Sequence, residues 1–160
     1  LRRLGALMTI GSDVEPATSG DMFSAMRLTM NVQRNIDNLN TLSRDGSLPE
    51  TSSISCSEAL QWITINAARM IKKENVTGTI EPGKKADIII IRGEDLNLFP
   101  INNAVNAVVR YANPGNVDTV IVDGKVVKRN GELLFKDISE KKEALLESSQ
   151  RILFDMGFQV

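Results

Sequence analysis

Gly78-Thr79-Ile80-Glu81-Pro82-Gly83-Lys84-Lys85-Ala86-Asp87-Ile88-Ile89-Ile90-Ile91, followed further on by Val117-Asp118-Thr119-Val120-Ile121-Val122-Asp123-Gly124-Lys125, is the part of the chain that decides its fold. Proline at the second position and glycine at the third of Glu81-Pro82-Gly83-Lys84 specify a type II turn, because proline presets φ and only glycine accepts the positive φ that follows. The β-branched run after it predicts a strand over 86–92, and a second strand is expected over 117–122. Asp123-Gly124 is a two-residue hairpin signal, with the return strand over 125–128 and another turn at Asn130-Gly131. Lys84-Lys85 is read as a solvated turn, and Asp87 as a structural residue at a strand start.

Working outward, the first half of the chain has a different texture. Ala6-Leu7-Met8-Thr9-Ile10, stopped by Gly11-Ser12-Asp13, has the length and abrupt polar end of a buried strand. A loop over 14–20 follows, then a helix over 21–34 with Met22, Phe23, Met26 and Met30 at helical spacing; Thr18, Ser19 and Asp21 are its candidate caps. Residues 35–53 are polar, with turn signals at Asp45-Gly46 and Leu48-Pro49, and read as an exposed connection. Ser55-x-x-Glu58 is a capping box opening a helix with the stripe Leu60, Ile63, Ala67 and Ile71, which ends by 75–78. Beyond the first strand, 96–112 reads as loop plus a short helix. An amphipathic helix closes the chain over 139–156, its apolar face formed by Leu145, Leu146, Ile152, Leu153 and Met156, with Asp137 and Glu140 supporting its N-terminus.

Composition narrows the functional classes. The chain has 160 residues, 42% hydrophobic and 24% charged, with a formal net charge of −1. That is a globular profile without the basic footprint that nucleic acid or an anionic membrane surface would select. The longest apolar run is strand-sized, far below the ~20 residues of a spanning helix. Leu1-Arg2-Arg3 and the glycine-containing stretch after it do not form a secretory signal. The lone Cys56 excludes an internal disulfide and fits a reducing, cytoplasmic setting. With no histidine in the chain to act as its base, Cys56 reads as a packing residue, as do Trp62 and Met70.

Three stretches together resemble one family. Ile10-Gly11-Ser12-Asp13 with Ser19-Gly20-Asp21-Met22-Phe23-Ser24-Ala25-Met26-Arg27 resembles the end of the last barrel strand, and the helix after it, in metal-dependent amidohydrolases of the cytosine/guanine deaminase and chlorohydrolase type. Ser57-Glu58-Ala59-Leu60 with Thr64-Ile65-Asn66-Ala67-Ala68-Arg69 resembles a later helix of that family. The turn, strand and hairpin quoted at the outset resemble its small β-sandwich. Ser12 and Ala67 stand where threonine and glycine are usual.

The resemblance implies an α/β fold: the last βα unit and helices of a TIM-type (β/α)8 barrel over 1–79, part of a composite β-sandwich over 80–135, and a C-terminal helix over 136–160. It implies that Asp13 is the metal-ligating aspartate, which in the family also takes a proton from metal-bound water and passes it to the leaving group. Ser19 is a candidate substrate contact, although capping is its stronger role; Asp21 and Glu15 are also acidic and near, and Asp21 answers to the helix N-terminus. The reaction implied is hydrolysis of a non-peptide C–N or C–Cl bond on a small cyclic substrate, with zinc or iron as cofactor.

Such a metal needs histidines, and the chain has none. One carboxylate is short of the three or so protein ligands of a catalytic site, so the expectation is a fragment that binds no metal tightly and is inactive alone. Strands deprived of neighbours expose apolar edges. The expected partners are accordingly a second copy of the chain or the barrel portion it lacks, with no nucleic acid and no membrane. Two competing readings are a non-catalytic assembly or binding module derived from such an enzyme, and an unrelated small α/β binding protein.

Overall fold

The computed structural model describes residues 4–14 and 19–158. Glu15, Thr18 and the first three residues, on which some of the readings above fall, lie outside them. In chain order the elements are α1 (Met22–Asp45), α2 (Cys56–Trp62), α3 (Ile65–Met70), β1 (Ile88–Ile91), α4 (Ala104–Tyr111), a 3-10 turn (Pro114–Asn116), β2 (Val117–Val122), β3 (Lys125–Arg129), β4 (Glu132–Leu133) and α5 (Ile138–Asp155).

The strand-rich half follows its local signals. Lys84 N donates to Glu81 O at 3.2 Å and Gly83 has φ 92°, the geometry of the expected type II turn. Asp123 and Gly124 both have positive φ, as do Asn130 and Gly131, so β2–β3 and β3–β4 are joined by the tight turns their sequences specify. The result is one antiparallel sheet in the order β1-β2-β3-β4, with Ile88 opposite Ile121 and Ile89 opposite Val120. Lys84 departs from its solvated reading. Its side chain is largely covered and its Nζ donates to Thr79 Oγ1 and reaches Glu81 at 3.4 Å.

Two polar knots tie this half together. Buried Asn116 donates to Asp95 Oδ2 (2.6 Å) and Asn97 Oδ1 (2.9 Å), and accepts from Asn113 N, while Arg92 pairs with Asp95 at 3.2 Å. A buried amide with its bonds satisfied in this way fixes the turn before β2 against the end of β1. Asp87, read as structural, accepts from Asp123 N and Thr77 Oγ1, both at 2.8 Å, which clamps the β2–β3 hairpin to the start of β1. Those two bonds, with nearby Lys85, hold the Asp87 carboxyl below its ordinary pKa. A carboxylate with a depressed folded pKa stabilises the fold above its unfolded pKa of about 3.9 and loses that contribution as pH falls. Urea midpoints measured against pH are therefore expected to show wild type above Asp87→Asn at neutral pH, with the gap closing below about pH 4. A gap that is independent of pH would contradict the clamp.

The helical half departs from its reading in three places. α1 continues to Asp45 because Asp45-Gly46 is the helix's end and not a loop turn: Gly46, at φ 67°, donates to Leu42 O at 2.9 Å in a left-handed cap. The helix expected over the Leu60–Ile71 stripe is two, broken at Ile63-Thr64, and Met70 and Ile71 are exposed. Residues 6–10 form no strand. A strand is defined by ladder bonds to a neighbour, and this segment instead bonds to helix ends: Thr9 Oγ1 donates to Trp62 O (2.8 Å) and Met8 O accepts from Asn66 Nδ2 (3.1 Å). The expected βα unit is thus present as an apolar segment followed by a helix.

Two clusters form the core. Met26, Met30, Ile54, Cys56, Ala59, Trp62 and Val109 make one, with Met8 and Ile10 packed on it; Phe23, Leu98, Ala107, Ala112 and Val117 make the other. Trp62 and Cys56 are the packing residues their context suggested. Much apolar surface stays outside. α1 carries a second stripe, Leu28, Val32, Ile36, Leu39 and Leu42, facing solvent, and α5 buries nothing. Leu145, Leu146 and Ile152 on α5 and Met156 at its C-cap are exposed, so its amphipathic face has no counterpart among the described residues; Asp137 stands at its N-cap without a side-chain cap bond. The accessible surface is 11976 Å² for 17.6 kDa, where a self-contained monomer of that mass has about 7,900 Å². The roughly 4,000 Å² of excess is surface that a self-contained monomer of this mass would bury.

Candidate functional site

Asp13 is placed by what precedes it. Met8 and Ile10 pack on the Trp62 cluster, and the two bonds from Thr9 and Met8 pin the segment at the break between α2 and α3. Gly11 is exposed and Ser12 half-buried. Asp13 then turns into the left-handed region at φ 59°, exposed to solvent. Aspartate is one of the few residues other than glycine that enters this region routinely. The backbone therefore leaves the core at Gly11 and presents the Asp13 carboxylate outward.

Ser19 and Asp21 act at the start of α1. Asp21 caps α1, its Oδ1 accepting from Ser24 N at 2.9 Å and its Oδ2 from Ser19 Oγ at 3.3 Å. Partial burial pushes the Asp21 carboxyl up, but the Ser24 bonds, Ser19 and the charge of Arg27 outweigh it, and its pKa lies below the ordinary value. The Ser19 hydroxyl is engaged in this cap. Arg27, the last residue of the quoted motif, donates to Ala112 O and fastens α1 to the end of α4.

The donor set decides what this site can hold. Among the described residues no three acidic, cysteine or histidine side chains converge, and the chain contains no histidine. A catalytic zinc takes about three protein ligands, so the residues present do not fit such a metal by themselves. What they offer is one outward carboxylate on a pinned segment.

Sequence reasoning missed a neighbouring feature. A groove of about 680 Å³ runs between residues 9–11, α3, the 77–80 segment and β1, lined mainly by apolar side chains such as Ile10, Ile63, Ala67, Ile71, Ile80 and Ile89. Gly78 sets one wall: at φ 96°, a Cβ there would lie 2.8 Å from Ala68 Cβ. The signal was present in Ile88–Ile91, a strand without a polar face, which implies cover on both sides.

Comparison with known proteins gives the context. Residues 1–127 match the Amidohydrolase family. A 5-methylthioadenosine/S-adenosylhomocysteine deaminase of Acetivibrio thermocellus is 32% identical over 150 residues, covering 93% of this chain and 32% of the relative. A 5'-deoxyadenosine deaminase of Methanobrevibacter smithii is 38% identical over 95 residues, covering 59% of this chain and 22% of the relative. Among solved structures, an adenosine deaminase from Xanthomonas campestris with bound zinc superposes with TM-score 0.78 at 23% identity, covering 95% of this chain and 32% of that one. A zinc-complexed atrazine chlorohydrolase from Arthrobacter aurescens superposes with TM-score 0.61 at 20% identity, covering 76% and 24%. The chain spans about a third or less of the length of these relatives.

Proposed function

Because this chain belongs to the amidohydrolase family, we propose that it is the carboxy-terminal part of a hydrolase that acts on non-peptide C–N bonds, of the deaminase type, with a purine nucleoside as the substrate class. The observation that carries this reading is the pinned Thr9–Ile10 segment that ends in the outward Asp13 carboxylate, in a chain that aligns over 93% of its length with a nucleoside deaminase. In this reading Asp13 is the one carboxylate the chain contributes to a metal centre, zinc or iron, whose remaining ligands lie elsewhere. Residues 1–79 complete a (β/α)8 barrel, 80–135 complete a β-sandwich, and 136–160 brace the assembly. Ser19, close after Asp13 in sequence, is the candidate substrate contact. The uncovered faces of α1, α5 and β1 support this reading, since a finished barrel and sandwich would cover them. They equally suit an assembly module, the second reading.

The chain alone is the first test. Purified and loaded with zinc or iron, it is expected to retain far less than one metal ion per chain by elemental analysis and to release no ammonia from adenosine or 5-methylthioadenosine. Stoichiometric metal with turnover would refute the division of the site that we propose.

A further inference from the structure

We propose that Asn66 is a positioning residue for Asp13: its side-chain amide, steadied by Arg69, fixes the Met8 carbonyl and with it the course of the segment that presents the carboxylate. The inference rests on the hydrolytic reading and adds to it a residue that touches no substrate. It starts from the break between α2 and α3. In an unbroken helix Trp62 O would accept from Asn66 N, four residues on. The break at Ile63-Thr64 releases that carbonyl, and Thr9 Oγ1 donates to it at 2.8 Å. The kink is supported from within, because Leu60 O accepts from Thr64 Oγ1 at 2.8 Å and from Ile63 N at 3.3 Å.

The second anchor is the side chain of Asn66, in the first turn of α3. Its Nδ2 donates to Met8 O at 3.1 Å and its Oδ1 accepts from Arg69 Nη1 at 3.2 Å. The two bonds have opposite polarity, so together they fix which way the amide faces. A carboxylate of the same shape makes only the second. Both anchors fall where the chain first becomes covered: residues 4–7 are exposed, whereas Met8, Thr9 and Ile10 are half-buried. Packing of Met8 and Ile10 on the Trp62 cluster sets the depth of the segment. Hydrophobic contact is non-directional, so the hydrogen bonds set its direction. The five residues from Met8 to Asp13 span at most about 17 Å, so a tilt of about 4° at the anchors displaces the carboxylate by about 1 Å. A misplacement of that size costs up to about 100-fold in rate.

The experiment uses Asn66→Asp, which keeps the side-chain shape and the Arg69 contact and loses the donor to Met8 O. Asn66→Leu, of similar size, loses both bonds and is the second variant. In the 160-residue chain, amide relaxation measured by NMR is expected to give order parameters of about 0.85 for Met8 to Ile10 in wild type, falling toward about 0.6 in either variant, with unchanged far-UV circular dichroism. In a hybrid in which this chain replaces the last third of the Acetivibrio thermocellus deaminase, kcat for 5-methylthioadenosine is expected to fall about 10–100-fold while KM stays within a few-fold. A merely structural role would lower the amount of folded enzyme and leave kcat per folded molecule unchanged. Order parameters that stay at the wild-type value in both variants, or an active hybrid whose kcat is indifferent to them, would overturn the role of Asn66 and leave the hydrolytic reading intact. A parent hybrid without turnover would overturn both.

Discussion

Trp62→Ala is expected to remove most of the stability of the helical half and lower its urea midpoint sharply. Trp62 is buried at 3% exposure among Met26, Met30, Ile54, Cys56, Ala59 and Val109, which come from α1, α2, α4 and the segment before α2. Truncating a buried tryptophan costs about 3–5 kcal/mol through lost transfer energy and the cavity left behind. A typical domain has only about 5–15 kcal/mol in total, and a chain with this much uncovered apolar surface stands at the low end of that range. The effect also reaches the candidate site. Met8 and Ile10 pack on the same cluster, so loss of the indole loosens the segment that presents Asp13, although the backbone carbonyl that accepts from Thr9 remains. Circular dichroism at 222 nm against urea checks this, since the only tryptophan fluorophore disappears with the substitution. Trp62→Phe fills more of the space and is expected to shift the midpoint less than Trp62→Ala. A midpoint for Trp62→Ala within error of wild type would remove Trp62 from the core described here.

The features that could be read in the sequence are those decided within four or five residues. Pro82-Gly83, Asp123-Gly124 and Asn130-Gly131 set turns by backbone sterics alone, and Ser55 and Asp21 cap their helices with side-chain oxygens that accept from Glu58 N and Ser24 N. The misread features depend on something farther away. Residues 6–10 have the pattern of a strand but no neighbour to make them one. Asp45-Gly46 is a turn signal in isolation and a helix stop once 24 residues of α1 precede it. Leu145, Leu146, Ile152 and Met156 have the spacing of a buried face, yet α5 meets nothing that covers it. In each case the hydrophobic pattern correctly reports that a surface is meant for burial and carries no information about the identity of the cover. The site divides the same way. Gly11-Ser12-Asp13 reads as the end of a strand, which residues 6–10 do not form, and the groove beside β1 arises between segments more than fifty residues apart in sequence.

The largest effect is expected at Asp13, in a hybrid enzyme. If the last third of the Acetivibrio thermocellus deaminase is replaced by this chain, the proposed function predicts turnover, because the two are related over 93% of this chain. Asp13→Asn in that hybrid keeps the size and the left-handed backbone tolerance of the residue but can neither carry the charge nor accept a proton. Loss of a positioned proton acceptor lowers rates by about 10²–10⁴-fold, and the loss should fall on kcat, since the substitution leaves the substrate's apolar and hydrogen-bonding contacts in place. Asp21→Asn is the matched comparison. It retains an oxygen that accepts from Ser24 N, asparagine caps as well as aspartate, and kcat should stay within a few-fold of the parent hybrid by the same reasoning. Ammonia release from 5-methylthioadenosine measures both. A hybrid without turnover counts against the hydrolytic reading itself. An active hybrid indifferent to Asp13→Asn leaves that reading standing and removes only the role assigned to this carboxylate.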